Sequence, residues 1–266
     1  VAPRKAAADR EPFGLGPDGR GWRPQGQPSL RTPTADIGRH VSERVFAVAG
    51  GTTYPGIVLQ GSLFDRVGTA EPAGPRPLGA TVERTGLPAG AWVDVRRDWL
   101  AGADDLFERL ATTVPWHGER RRMYDRVVDV PRLLCFFGAG DALPDPILVA
   151  ARSALDAHYA AELGERFATA GLCLYRDGRD SVAWHGDTAG RGSTEDTLVA
   201  IVSLGARREL LLRPRGGGGV RRFAVGHGDL LVMGGSCQRT WEHAVAKTAR
   251  PVGPRLSVQY RPAGVR

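Results

Sequence analysis

The triplet His-Gly-Asp occurs twice, in "SVAWHGDTAG" as His185 and Asp187 and in "AVGHGDLLVM" as His227 and Asp229. An imidazole and a carboxylate two residues apart on a strand face the same side, with Cα atoms about 6.6 Å apart, so either pair can address one metal ion. The second pair is flanked by Gly226 and Gly228 between the apolar runs "RRFAV" and "LLVM". It reads as a hairpin turn whose aspartate bonds nearby backbone amides. The first pair ends an apolar strand and opens onto the polar loop "TAGRGSTED". His243, in "QRTWEHAVAK", offers a third donor from a different β element. Two imidazoles and one carboxylate leave three coordination positions open, a set that suits non-haem Fe(II) better than a closed structural zinc site.

A second cluster of chemistry lies in "PRLSVQYR". Arg255, Ser257, Gln259 and Arg261 share one face of a strand, and Leu256, Val258 and Tyr260 the other. If the first face points inward, its guanidiniums need anions, and a small dicarboxylate bridging metal and arginine would satisfy both sites. The two arginine Cα atoms are about 20 Å apart on a flat strand and meet one ligand only if their side chains converge along a twisted one. An edge strand with solvated arginines is the competing reading.

Something must position these residues, and 266 residues with 42% hydrophobic content suffice for one catalytic domain. From 1 to 56 the chain is rich in Pro, Gly and Arg without periodicity and reads as an extended or disordered leader; 57–266 reads as the functional domain. A second Pro/Gly-rich linker runs through "EPAGPRPLGATVERTGLPAG". Helices are expected around 104–114, with Leu106, Phe107, Leu110 and Val114 on one face, and around 145–163. In the second, Asp145 is the N-cap and Pro146 the first helical residue. After about residue 170, seven short apolar or alternating runs separated by Gly-rich turns predict an antiparallel sandwich or barrel.

Three well-separated cysteines without a Cys-x-x-Cys pair fit a reducing compartment. No apolar run is long enough for a membrane span and the basic start lacks a secretory signal, so a cytoplasmic protein without membrane contact is expected. The net charge of +7 is compatible with a polyanionic partner and equally with a basic solvated surface. The run "RGGGG" lacks a following Lys-Ser/Thr and is a turn, not a phosphate-binding loop; Cys237 fits a small buried hydrophobe.

In order and spacing, "LYRDGRDSVAWHGD", "VSLGARRELLLRPRGG", "VGHGDLLVMGGSCQRTWEH" and "PRLSVQYR" resemble the AlkB-like Fe(II)/2-oxoglutarate dioxygenases, over roughly residues 100–262. The resemblance implies a mainly β protein with flanking helices (α+β), built on a double-stranded β-helix, or jelly-roll, core. It implies His185, Asp187 and His243 as Fe(II) ligands. Arg255 and Arg261 would hold the two carboxylates of 2-oxoglutarate, with Tyr175 also in contact. The family's Asn-x-Tyr is here Cys173-Leu174-Tyr175, and its Asn two after the first arginine is here Ser257, so individual cosubstrate hydrogen bonds differ. The implied reaction uses O2 to demethylate N-alkylated bases, releasing formaldehyde, succinate and CO2.

For the substrate, "PWHGERRRMYDRVVDVPRLLCFFG" resembles the family's nucleotide-recognition hairpin. Met123 and Tyr124 stand where some relatives carry an apolar finger that fills the gap left by a flipped base, and Arg120, Arg121, Arg122, Arg126 and Arg132 are placed to hold phosphates. Arg213 and Arg215 are further candidates for that groove. Trp184 and Trp241 are candidates for stacking on a base, against the commoner core role. Ala189 replaces an acidic residue that several family members use to read the base, which leaves the lesion open. The expected partner is nucleic acid, alkylated DNA foremost and RNA as the alternative, and the expected state is a monomer. Two other classes stay open, a 2-oxoglutarate oxygenase of a protein or small molecule and a catalytically inert nucleic-acid-binding module.

Overall fold

The structure is a computed structural model that describes residues 71–123 and 126–265, without the side chains of 120–129. The expected leader, 1–56, and residues 57–70 of the expected functional domain lie outside the described residues.

Four short strands come first: β1 (Gly74–Pro75), β2 (Glu83–Gly86), β3 (Ala91–Arg96) and β4 (Leu100–Ala101). Helix α1 (Ala103–Thr113), the hairpin β5 (His117–Met123) and β6 (Arg126–Phe137), and helix α2 (Pro146–Leu163) follow. The remainder is β7 (Phe167–Tyr175), β8 (Val182–His185), β9 (Val199–Gly205), β10 (Arg208–Pro214), β11 (Arg221–Val225), β12 (Asp229–Gly235), the single-turn α3 (Cys237–Thr240), β13 (Trp241–Val245) and β14 (Arg255–Pro262). No helix among the described residues is long and apolar enough to cross a membrane.

Every strand pair is antiparallel. The large sheet runs β2-β3-β12-β9-β14-β7-β6-β5 and the small one β11-β10-β13-β8. From β7 to β14 the chain alternates between them except at the β10–β11 hairpin, which stays within the small sheet, and this is the double-stranded β-helix. The alternation of side chains along each central strand splits the core in two. On β14, Leu256, Val258 and Tyr260 face the helices together with Ala200, Val202 and Leu204 of β9, packing against Leu106, Leu110, Leu148 and Leu155. Residues of opposite parity, such as Val199, Ile201 and Leu231, pack between the sheets against Leu210, Leu212 and Trp241 of the small one. The inward face of β14 carrying Arg255 and Arg261 therefore points into the inter-sheet space, which excludes the solvated edge strand.

Two expectations need correction. The segment read as a linker, 71–90, contributes β1 and β2; β2 carries no periodic signal because all four of its residues are exposed, and it is fixed only by pairing with β3. The β-rich half has eight strands rather than seven, because the five-residue β13 is enclosed in a polar stretch of sequence. The two helices match their expected limits within a residue. Asp145 caps α2, its Oδ1 accepting the Ile147 N–H at 2.9 Å while Oδ2 accepts from Arg109 Nε at 2.8 Å. Loss of such a cap costs about 1–2 kcal/mol. Asp145→Ala is therefore expected to lower Tm by a few degrees in thermal denaturation, with Asp145→Ser, which keeps an acceptor, losing less; an alanine variant that melts with the wild type would show the cap to be idle.

Candidate metal centre

β13 pairs with β8 so that His243 lies directly opposite His185, with ring centroids 4.2 Å apart. Asp187 follows two residues after His185, and the ligand atoms of all three side chains lie within 4.8 Å of one another. His185 is half-buried, whereas Asp187 and His243 are buried, so the cluster is approached from the His185 side. The Ala183 carbonyl lies 2.9 Å from His185 Nδ1. A carbonyl only accepts, so Nδ1 carries the proton and Nε2 keeps a free lone pair.

The protonation states suit a cation. Burial, helped by the neighbouring His185, lowers His243 to about 3. Burial also lowers His185, against the opposing pull of Asp187. Burial alone would raise the Asp187 carboxyl, but Arg261 and the two imidazoles outweigh it and bring the group to about 2. Two neutral imidazoles thus face one ionised carboxylate, the forms in which these groups act as ligands.

On the inward face of β14, Arg261 pairs with Asp187 through Nε and Nη2, at 3.1 and 3.2 Å. Its Nη2 also donates to Gln259 Oε1 at 3.0 Å, and Gln259 Nε2 reaches Ser257 Oγ at 3.0 Å and Cys173 Sγ at 3.3 Å. At the other end Arg255, 2% exposed, donates from Nε to Ser203 Oγ at 3.0 Å and lies 5.2 Å from the Tyr175 ring centroid. No carboxylate pairs with Arg255 among the described residues. Gln259 and Ser257 thus lie between the two arginines on this face, bonded to each other and on to Arg261, while Arg255 bonds Ser203, the register partner of Ser257. Gln259 was visible on the right face of the sequence. Ser203 was not, because only the β14–β9 register brings it there.

The remaining candidates divide. Trp184 is half-buried, with Arg213 stacked 4.3 Å from its ring; Arg213 also pairs with Glu242 at 3.0 Å, so it is not the free cation expected for a phosphate. Trp241 is 4% exposed within the inter-sheet core, its indole N–H donating to the Pro88 carbonyl, and packs instead of presenting a stacking face. Arg132 turns inward rather than toward a surface phosphate, donating to the Ser181 carbonyl at 3.2 Å and reaching the Cys173 thiol. Arg215 is exposed and donates to the Gln238 carbonyl at 3.3 Å, beside the ligand loop. Tyr124 lies outside the described residues, as do the side chains of Met123, Arg120, Arg121, Arg122 and Arg126; the backbone of Met123 pairs with that of Arg126 at the end of the β5–β6 ladder.

The second triplet forms the β11–β12 turn, with Gly228 at φ 75°. Asp229 accepts from the backbone N–H groups of Gly226 and Asp98 at 2.8 and 2.9 Å, and His227 Nδ1 accepts from Gly205 N at 2.8 Å. Neither residue belongs to the His185 cluster.

The donor set fits Fe(II), since it offers nitrogen and oxygen without thiolate and fills only three positions. A buried guanidinium without a counter-ion is costly, and Arg255 thereby fits a carboxylate of a bound dicarboxylate.

Residues 138–261 match the family model described as the 2OG-Fe(II) oxygenase superfamily. The chain is 28% identical over 188 residues to "Alpha-ketoglutarate-dependent dioxygenase alkB homolog 3" of Bos taurus, covering 61% of this chain and 62% of the relative. Over 241 residues it is 28% identical to the Homo sapiens protein of that name, covering 84% and 80%. It is 26% identical over 246 residues to "DNA oxidative demethylase ALKBH2" of Homo sapiens, covering 76% and 94%. The match thus spans about three fifths of the bovine relative's length. A solved Burkholderia pseudomallei 2OG-Fe(II) oxygenase aligns over 64% of this chain and 84% of its own, at 14% identity and a TM-score of 0.46.

The two triplets make opposite predictions. His185→Ala is expected to abolish Fe(II) or Co(II) uptake followed by absorption, with the fold intact. His227→Ala is expected to leave uptake unchanged and, by orphaning the Gly205 N–H, to cost about 1–2 kcal/mol in denaturant unfolding. Loss of metal uptake in the folded His227 variant would reverse the assignment.

Proposed function

The chain belongs to the 2OG-Fe(II) oxygenase superfamily, and from that premise we propose that it is an oxidative demethylase of N-alkylated nucleic-acid bases, with DNA foremost. The observation that carries the reading is the interior juxtaposition of the His185, Asp187 and His243 cluster with Arg261 on its carboxylate and the uncompensated Arg255 on the same strand. The nucleic-acid part rests on the names of the curated relatives, three of which read "DNA oxidative demethylase", and on the basic hairpin β5–β6.

Fe(II) held by His185, Asp187 and His243 supplies the O2 chemistry that oxidises an N-methyl group while 2-oxoglutarate is decarboxylated. The chain's own work is to bind, orient and exclude water. Arg255, with Ser203 and Tyr175, holds one carboxylate of the cosubstrate; Arg261 holds the other while keeping Asp187 ionised, and Ser257 lies between them. Burial of Asp187 and His243 keeps bulk water from the reacting face, and the half-buried His185 and Trp184 mark the side on which a base enters. Arg215 at that mouth, with the basic β5–β6 hairpin, meets backbone phosphates. Oxidation of the methyl group gives a carbinolamine, whose collapse releases formaldehyde and the unmodified base.

Arg255→Gln removes a charge-assisted contact worth about 1.5–3 kcal/mol, so the Kd for 2-oxoglutarate is expected to rise about 10- to 100-fold while the cosubstrate-free protein keeps or gains thermal stability. Unchanged cosubstrate affinity would remove Arg255 from the site. The decisive experiment is anaerobic loading with Fe(II) and 2-oxoglutarate, then O2, with mass analysis of oligonucleotides carrying single N-methyl lesions and succinate quantified. The expected result is loss of one methyl carbon per succinate, with oligonucleotide affinity falling steeply with salt. Succinate formed without repair of any lesion would sink the nucleic-acid assignment and direct the search to a protein or small-molecule substrate. Absence of both would favour an inert binding module.

A further inference from the structure

We propose that Gln238 is a positioning residue that ties the two ligand-bearing segments of the metal centre together and so sets its metal affinity. The proposal rests on the metal reading of the His185, Asp187 and His243 cluster. Gln238 is 1% exposed in the single turn α3. Its Oε1 accepts the backbone N–H of Asp187 at 3.1 Å, a contact across 51 residues of sequence. Among the described residues its Nε2 donates to the Met233 thioether, a weak acceptor, at 4.0 Å. A buried amide that makes one strong hydrogen bond, and makes it to the backbone of a ligand residue, is placed for that bond.

The ligand loop is closely seated around this contact. A Cβ at Gly186, between His185 and Asp187, would come within 3.0 Å of the Gln238 carbonyl, 3.3 Å of the Trp241 carbonyl and 2.4 Å of Arg215 Nη2. The loop therefore lies directly against the backbone of α3 and the start of β13. Five residues after Gln238 the same segment delivers His243. One side chain thus couples the aspartate loop to the strand that carries the third ligand, while Arg261 holds the aspartate's other end. Without the acceptor, the Asp187 N–H is buried and unpaired. The loop then turns to satisfy it, which moves the carboxylate relative to the imidazoles.

The test is Co(II) titration of the full chain, followed by d–d absorption, for the wild type, Gln238→Leu and Gln238→Glu. Leucine keeps the volume and removes the acceptor; Co(II) affinity is expected to fall about 10- to 100-fold, the range for losing an outer-shell partner of a ligand. Glutamate keeps the acceptor and adds negative charge beside the cation, so affinity is expected to match or exceed the wild type. A packing role alone predicts the reverse order, with leucine tolerated and a buried glutamate disruptive, and that result overturns the proposal. Should the leucine variant not fold, Gln238→Met is read in its place. A wild type that takes up no Co(II) would sink the metal reading itself, whereas wild-type and leucine proteins binding equally would sink only the role of Gln238.

Discussion

An ion pair inside the β-helix, Asp187 with Arg261, is the constraint around which the rest is arranged. Its side chains are 5% and 12% exposed, and breaking such a pair from one side leaves an uncompensated buried charge at a cost of about 3–5 kcal/mol. The structure answers that cost with polar groups in succession. Gln259 takes a further Arg261 N–H, Ser257 and Cys173 take the Gln259 amide, and the two imidazoles flank the carboxylate. The pair also does chemical work before any cation arrives, since Arg261 holds Asp187 ionised against its own burial.

That polar interior is possible because the large sheet has two differently employed faces. Its outer face is largely apolar and is covered by α1 and α2, with the buried Asp94 of β3 as an exception that accepts from the Tyr159 hydroxyl of α2, so much of the hydrophobic stabilisation of the domain is gathered there. Its inner face can then carry charge without leaving the fold short of apolar burial. Tyr260 shows the division on one strand: its hydroxyl donates to the Leu148 carbonyl of α2, while its neighbours Gln259 and Arg261 point to the metal centre. The small sheet supplies the ligands and the large sheet supplies their counter-charges. Shifting β14 by one residue would replace Arg261, Gln259 and Ser257 on the inner face with apolar neighbours such as Tyr260 and Val258.

The arginine surplus of the chain is not one uniform basic surface. Arg84 is clamped by Asp94 and Glu162, Arg97 by Asp229, Arg109 by Asp145 and Arg213 by Glu242. Arg255, by contrast, is buried without a carboxylate partner among the described residues, and Arg215 sits exposed at the ligand loop. A buried, uncompensated guanidinium is a standing cost to stability that a bound carboxylate removes, the kind of trade expected where a fold is kept for its chemistry.

Much of the centre was legible in the sequence by itself. A two-residue period fixes which side chains of a strand share a face, so His185 with Asp187, and Arg255 with Ser257, Gln259 and Arg261, were paired before any fold was known. Glycines on both sides of His227 marked the other triplet as a turn. The start of the long α2 could be set by Asp145 and Pro146 because caps are local chemistry. What the sequence could not hold was register and direction. Only strand pairing sets His243 opposite His185, brings Ser203 to Arg255 and Gln238 to Asp187, and turns Arg132 inward and Trp241 into the core, because these contacts join residues tens to more than a hundred positions apart. The exposed β2 was missed for the same reason, and β13, though His243 was placed on a β element, was left out of the strand count, since pairing with neighbours and no internal pattern makes them strands.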